Sequence, residues 1–194
     1  MSKRIGLLGG TFNPVHLGHL VLAEQVRERL RLDEIWFIPV AQPPLKTEPD
    51  LAPAADRLRM VTLAIAGHPA FRASDLEIRR GGKSYTVDTL RAVRAHESPA
   101  TAFFFLVGSD ACGQLRKWRE FPEILRLCRF VIVARPGFRA AQLPRGVRTI
   151  AMTPLDISAT DIRRRIAHRQ SIRYLVPAAV RRYILRRRLY AAAA

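Results

Sequence analysis

The chain is poor in cysteine. Its two thiols, Cys112 and Cys128, form no CxxC motif and no disulfide framework. They read as small apolar fillers in a reducing compartment, and the cytoplasm is the expected location. No apolar run approaches the roughly eighteen residues of a membrane span, so no membrane partner is expected. An apolar strand pattern already begins at Ile5, so no cleavable leader is expected. Negative charge is scarce: 16 acidic residues face 33 basic ones, for a formal net charge of +17. Lysine is scarcer still, with four against 29 arginines. The arginines are densest at 163–165 and 181–188, without the interleaved aromatics or docking motif of a dedicated nucleic-acid binder. Such a field attracts small polyanions in general, and no specific nucleic-acid partner is expected. Internal repeats and low-complexity linkers are absent too. The length of 194 residues suits one α/β domain, set here at 1–190, with self-association left open.

What is present is organised around residues 5–19, IGLLGGTFNPVHLGH. An apolar run fit for a buried strand meets Gly9-Gly10. A turn through Thr11, Asn13 and Pro14 then leads into an amphipathic segment near His16. A helix start offers unpaired N–H groups and partial positive charge, and glycines let an anionic group approach the backbone. His16 and His19, three residues apart, share one helical face beside that anion site. The constellation suits a nucleotide triphosphate. HLGH can also be read as a fragment of a metal site, but no third histidine, cysteine pair or carboxylate follows at ligand spacing.

GGTFNPVHLGH resembles the (H/T)xGH nucleotidyltransferase signature, and its form is similar to that of the bacterial nicotinate-mononucleotide adenylyltransferases. Pantetheine-phosphate adenylyltransferase and the cytidylyltransferases share the signature. Asn13 stands where many members carry aspartate.

Periodicity supplies the frame. Residues 17–30 read as a helix and 34–40 as a buried strand. Residues 41–53 are a proline-rich loop at that strand's C-terminal end, where open α/β sheets gather functional loops. Residues 56–66 return to helical period. Residues 71–78 read as extended, Gly81-Gly82 as a turn, and 86–95 as a helix capped near Thr86. AFFFLVG at 102–108 is apolar on both faces and therefore central, ending in the small-residue turn Gly108-Ser109-Asp110. A helix at 121–128, strands at 130–134 and 148–152, and helices at 158–168 and 177–188 follow. Trp36, inside a strand, reads as core. The alternation implies a Rossmann-like, doubly wound parallel sheet with C-terminal helices.

A second motif lies some 140 residues downstream. In ISATDIRRR, Ser158 and Thr160 stand at a helix start and Arg163 follows within a turn, a set able to hold phosphate oxygens through hydroxyls, N–H groups and a bidentate guanidinium. Read alone, it is an ordinary N-cap followed by solvated charge. ISATDIR resembles the ISxTxIR motif of the same superfamily, and SYTVDTL (84–90), GSDACGQLRKW (108–118) and ARPG (134–137) resemble segments of the nicotinate-mononucleotide enzyme.

The resemblance implies adenylyl transfer from ATP to nicotinate mononucleotide, giving deamido-NAD and pyrophosphate in NAD biosynthesis. It implies a catalytic set of His16, His19, Lys46 and Arg163. ATP would meet Gly9, Gly10, Thr11, Phe12, His16, His19, Gly108, Asp110, Ile157, Ser158, Thr160 and Arg163. Nicotinate mononucleotide would meet Asn13, Lys46, Tyr85, Thr86, Trp118, Arg119 and Arg135, with Trp118 stacking on the pyridine ring and the backbone near Tyr85-Thr86 receiving its carboxylate. Magnesium would arrive with ATP rather than in a protein cage. Two departures stand out: Leu45 replaces the histidine of a PPHK string, and Arg119 follows Trp118 where an aromatic residue is frequent. The alternatives are a pantetheine-phosphate adenylyltransferase, and a nucleotide- or RNA-binding protein that uses the fold without turnover.

Overall fold

The computed structural model describes residues 2–44, 50–134, 143–153 and 155–191. Six strands form one sheet: β1 (Arg4–Gly10), β2 (Glu34–Pro39), β3 (Phe71–Ala73), β4 (Ala102–Gly108), β5 (Arg129–Ala134) and β6 (Val147–Ala151). Their order is β3-β2-β1-β4-β5-β6, and every neighbouring pair is parallel. The helices are α1 (Leu17–Leu30), α2 (Ala54–Ala64), α3 (Leu76–Arg80), α4 (Thr86–His96), α5 (Phe121–Leu127), α6 (Ala159–Ala167) and α7 (Ala178–Arg187). This is the Rossmann-like α/β arrangement that the alternation implied.

Period two along the strands sorts the core into two layers. Leu8, Ile35, Phe37, Phe104, Leu106 and Val131 pack on one face with residues of α1, α2, α6 and α7. Ile5, Leu7, Trp36, Phe103, Phe105 and Ile132 pack on the other with residues of α4 and α5. A strand covered on both faces has no reason to alternate apolar with polar, so β1, β2, β4 and β5 read as nearly unbroken hydrophobic runs. Trp36 is buried as expected, with its indole N–H donated to Glu34 at 2.6 Å.

The local reading needs correction at one place. The extended stretch set at 71–78 stops at Ala73, and Leu76–Arg80 is a short helix; its Glu77, polar in a strand reading, is buried between α3 and α4. Helix α4 starts at Thr86 with Tyr85 as its cap, as the sequence led one to expect, and the cap makes no side-chain bond. The turn after β4 continues as a 3-10 helix, Ser109–Lys117. Between β5 and β6 no helix occurs among the described residues.

The order reverses between β1 and β4, the innermost pair. In such sheets the connections leave the two central strands in opposite directions and open a crevice at their C-terminal ends. Gly10 and Gly108 end those strands at the same sheet edge.

Candidate active site

The site begins where β1 runs out. Phe12 adopts a positive φ of 50° and turns its ring beneath Gly10, where an added Cβ would lie 3.1 Å from the Phe12 ring. The ring is 2 % exposed and meets His19 edge-on at 5.1 Å. Phe12, expected to touch ATP, therefore has its side chain in the core, and only its backbone faces the turn.

His16 is the N-cap of α1, with extended backbone, and its N–H donates to His19 Nδ1 at 3.2 Å. The His19 N–H returns to the His16 carbonyl at 3.0 Å, and the two rings lie 3.8 Å apart. Because Nδ1 accepts, a neutral His19 carries its proton on Nε2, the nitrogen at the far side of the ring. No acidic residue occupies the first turn of α1, so nothing there cancels the partial positive charge of the helix start. The Leu17 N–H is held by the Leu175 carbonyl at 3.0 Å.

The downstream motif closes on this turn. Ser158 caps α6 by accepting the Asp161 N–H at 3.1 Å. Arg163 Nη1 donates to the Asn13 carbonyl at 2.9 Å, across 150 residues of sequence. The Ile157 carbonyl oxygen lies 3.7 Å from the place a Cβ on Gly18 would take. Arg164 and Arg165 instead pair with Asp161. The turn after β1, the histidines, the capped helix and Arg163 thus converge, with Ser158 and Thr160 exposed and Ile157 half-buried.

Asn13 is 2 % exposed and serves as a junction. Its Nδ2 donates to the Asp50 carbonyl at 3.0 Å, while Oδ1 accepts the Ala52 N–H at 3.0 Å and the Tyr190 hydroxyl at 2.8 Å. An aspartate would have no proton for Asp50, which gives the amide a local reason.

A second group gathers at the start of α4. Tyr85 and Thr86 are half-buried, and the first N–H groups of a helix have no intrahelical partner. The Arg119 guanidinium lies over the Tyr85 ring at 5.1 Å and is ion-paired with Glu120 at 3.3 Å and, more loosely, with Asp88 at 3.9 Å. Trp118, half-buried at the end of the 3-10 segment, meets Phe105 and Phe130 edge-on at 6.1 and 5.6 Å. The backbone of Asp110 belongs to the same 3-10 segment, and its side chain lies outside what is described. Lys46 and Arg135 also fall outside the described residues.

Three residues at the site carried no separate signal in the sequence. Gly18 is the spacer within HLGH: a Cβ there would meet His16 Nδ1 at 3.0 Å and Cε1 at 3.1 Å. Arg57 is 1 % exposed and bonds the Thr11 carbonyl at 2.9 Å. Tyr190 reaches Asn13 from the far end of the chain. Neither Arg57 nor Tyr190 stands in a pattern that points to these contacts. A hollow of about 710 Å³, lined by Ser2, Lys3, Arg4, Arg31 and Asp33, contains none of the motif residues.

The family model described as cytidylyltransferase-like matches residues 7–165. The probable nicotinate-nucleotide adenylyltransferase of Lactiplantibacillus plantarum is 44 % identical over 189 residues, covering 97 % of this chain and 88 % of that protein. Its namesake from Dehalococcoides mccartyi strain 195 is 42 % identical over 200 residues, 98 % of each. Among solved structures, Plasmodium falciparum nicotinic acid mononucleotide adenylyltransferase complexed with NaAD superimposes with a TM-score of 0.78 over 97 % of each chain, at 21 % identity, a likeness of fold.

Proposed function

Because this chain belongs to the cytidylyltransferase-like family and, within it, to the nicotinate-nucleotide adenylyltransferases, we propose that it transfers the adenylyl group of ATP to nicotinate mononucleotide, a step of NAD biosynthesis. The observation that carries the reading is the convergence of HLGH and ISATDIR on the turn after β1, through the 2.9 Å bond from Arg163 to the Asn13 carbonyl.

In the reaction, a phosphate oxygen of nicotinate mononucleotide forms a bond to the α-phosphorus of ATP. The bond from that phosphorus to the bridging oxygen breaks, and its electron pair leaves with pyrophosphate. Positioning and charge stabilisation suffice, and no protein nucleophile is required. The end of β1 at Gly9-Gly10, Thr11 and the start of α1 receive the triphosphate. His16 and His19 donate to phosphate oxygens as charge builds, His19 through Nε2. Ser158, Thr160 and Arg163 hold the outgoing phosphates. Lys46 from the proline-rich loop and Arg135 complete the cationic set, and Gly108 and Asp110 meet a nucleotide ribose. Asn13, buried as it is, acts on the substrates through its backbone and through the loop it anchors.

The donors at the helix start are imidazole and guanidinium rather than carboxylate, a set that fits phosphate oxygens and leaves Mg²⁺ to ride on ATP. When bound, that ion neutralises phosphate charge. The pyridine ring is assigned to Trp118, and its carboxylate to the N–H groups at Tyr85-Thr86, with Arg119 adding a cation. Donors satisfy both carboxylate oxygens, whereas an amide NH₂ facing donors costs about 1–3 kcal/mol.

The test is pyrophosphate release from ATP with nicotinate mononucleotide, nicotinamide mononucleotide and pantetheine phosphate in parallel. The expected result is turnover on the first, with kcat/KM at least roughly tenfold above the second, a ratio that corresponds to about 1.4 kcal/mol and lies within that penalty. Equal efficiencies on acid and amide would leave a pyridine-nucleotide enzyme of dual specificity. Preference for pantetheine phosphate would overturn the assignment.

A further inference from the structure

Arg57 is among the most buried side chains of the molecule, and three of its hydrogen bonds go to main-chain oxygens. Its Nη1 donates to the Thr11 carbonyl at 2.9 Å, Nη2 to the Ala41 carbonyl at 3.0 Å and Nε to the Ala52 carbonyl at 2.9 Å. These oxygens belong to three separate pieces of chain: the turn after β1, the exit of β2, and the approach to α2. A guanidinium taken out of water costs several kcal/mol, and an apolar side chain of the same volume would fill the space more cheaply. What the arginine adds is a planar fork with directed bonds to all three segments.

The tie continues toward α4. The Ala41 N–H donates to Ser84 Oγ at 2.9 Å, and the Ser84 N–H donates to the Gln42 carbonyl at 3.0 Å. Ser84 immediately precedes Tyr85, the cap of α4. Behind it, the Thr89 hydroxyl donates to Glu77 Oε1 at 2.6 Å within the same buried layer. An unbroken line of hydrogen bonds therefore runs from Thr11, at the triphosphate end, through Arg57, Ala41 and Ser84 to the start of α4, at the pyridine end.

We propose that Arg57, acting through Ala41 and Ser84, is a positioning residue that sets the separation between the triphosphate-binding turn and the pyridine-binding helix start. The inference rests on the functional reading above. In-line transfer needs the acceptor phosphate within near-attack distance of the α-phosphorus, and a displacement of about 1 Å imposed from a distance can cost on the order of a hundredfold. Lysine at 57 keeps the charge but has one nitrogen, which cannot span three carbonyls. Ser84→Ala breaks the same line at its other end with little change of volume.

The experiment uses the full chain and compares wild type, Arg57→Lys, Ser84→Ala, the double variant and Arg164→Ala, an exposed guanidinium tied to Asp161. kcat and both KM values are read with ATP and nicotinate mononucleotide, together with thermal midpoint and exchange of the Ala41 and Ser84 amides. In folded Arg57→Lys, kcat should fall roughly tenfold or more and both KM values should rise. Ser84→Ala should raise KM for nicotinate mononucleotide about threefold or more and leave that for ATP nearly unchanged. Both variants should speed exchange at Ala41 while the strands stay protected. The double variant should lose less than the product of the single losses, because both break one line. Arg164→Ala should match wild type. Wild-type kinetics in folded Arg57→Lys, or losses that multiply, overturn the proposal. If Arg57→Lys fails to fold, Ser84→Ala decides: an unchanged KM for nicotinate mononucleotide with unchanged Ala41 exchange overturns it. If wild type ignores nicotinate mononucleotide but adenylylates another phosphorylated acceptor, the functional reading falls, and the same ratios on that acceptor test the tie.

Discussion

A single absent methyl group shapes the histidine pair. A Cβ on Gly18 would sit 3.0 Å from His16 Nδ1, and His16 already has the His19 ring 3.8 Å away on another side. Alanine is preferred to glycine inside a helix by about 1 kcal/mol, so Gly18→Ala should leave the thermal midpoint unchanged or higher. Turnover should nevertheless fall about tenfold or more, because the His16 ring must move by a few tenths of an ångström. Unfolding curves and kcat measured together separate the two effects, and unchanged turnover would show that the ring has room. Glu77 makes a different residue-scale case. Burial pushes its carboxyl above the ordinary 4.5, against the opposing pull of the Ser84 and Thr89 hydroxyls and the Arg80 and Arg57 charges. A raised folded-state pKa means that the folded chain holds the proton more tightly. That stabilisation is complete below about pH 4.5 and is lost as pH rises through the folded value. Glu77→Gln lacks this loss, so its stability relative to wild type should improve between pH 4 and pH 7 in urea unfolding. A constant difference across that range would place the Glu77 titration at its ordinary value.

At the scale of elements, α6 joins two jobs. Its first turn is closed by Ser158 and offers N–H groups, and one turn on Arg163 is bonded to the Asn13 carbonyl, while its buried Nε makes no hydrogen bond. Arg163→Ala should raise KM for ATP and lower kcat. Arg163→Lys should restore only part, since one ammonium cannot keep the Asn13 carbonyl and clamp a phosphate together. Arg164→Ala and Arg165→Ala should behave as wild type. Unchanged ATP kinetics in Arg163→Ala would reduce that side chain to a brace between α6 and the turn. Helix α7 is tied in through the Tyr183 hydroxyl, which donates to Asp56 on α2 at 2.6 Å, and through Tyr190 beyond its end. The C-terminal segment thus reaches both α2 and Asn13.

For the whole molecule, the charge of +17 is unusual, and so is the way the arginines are used. Arg4 donates to the Leu30 carbonyl, Arg94 to those of Leu127 and Thr101, and Arg57 and Arg163 to four more between them. Arg72 and Arg94 also lie over Trp36 and Phe103. A planar fork of five donors clasps backbone and covers rings, which an ammonium does poorly, so 29 arginines against four lysines has a structural reason beside any electrostatic one. Duplex DNA should accordingly bind weakly, without regard to sequence, and should be largely released at physiological salt. Sequence-selective binding at that salt, measured by titration, would favour the nucleic-acid reading.

Strand identity and sheet class were legible because each depends on local chemistry: runs such as AFFFLVG have only a doubly covered strand to occupy, and GGTFNPVHLGH carries its own turn, cap and helix start. The pairing of that motif with ISATDIR was legible as a resemblance. The sequence misled at 71–78, where the burial of Glu77 against Thr89 is a contact between α3 and α4 that no local period encodes. Only the tertiary structure decided that Phe12 points into the core, that Asn13 anchors Asp50, Ala52 and Tyr190, and that Arg57 bonds Thr11, Ala41 and Ala52. The physical reason is common to all three. Periodicity reports which face of an element is apolar, whereas a buried polar group is specified by partners distant in sequence, whose positions exist only once the sheet has brought the loops together.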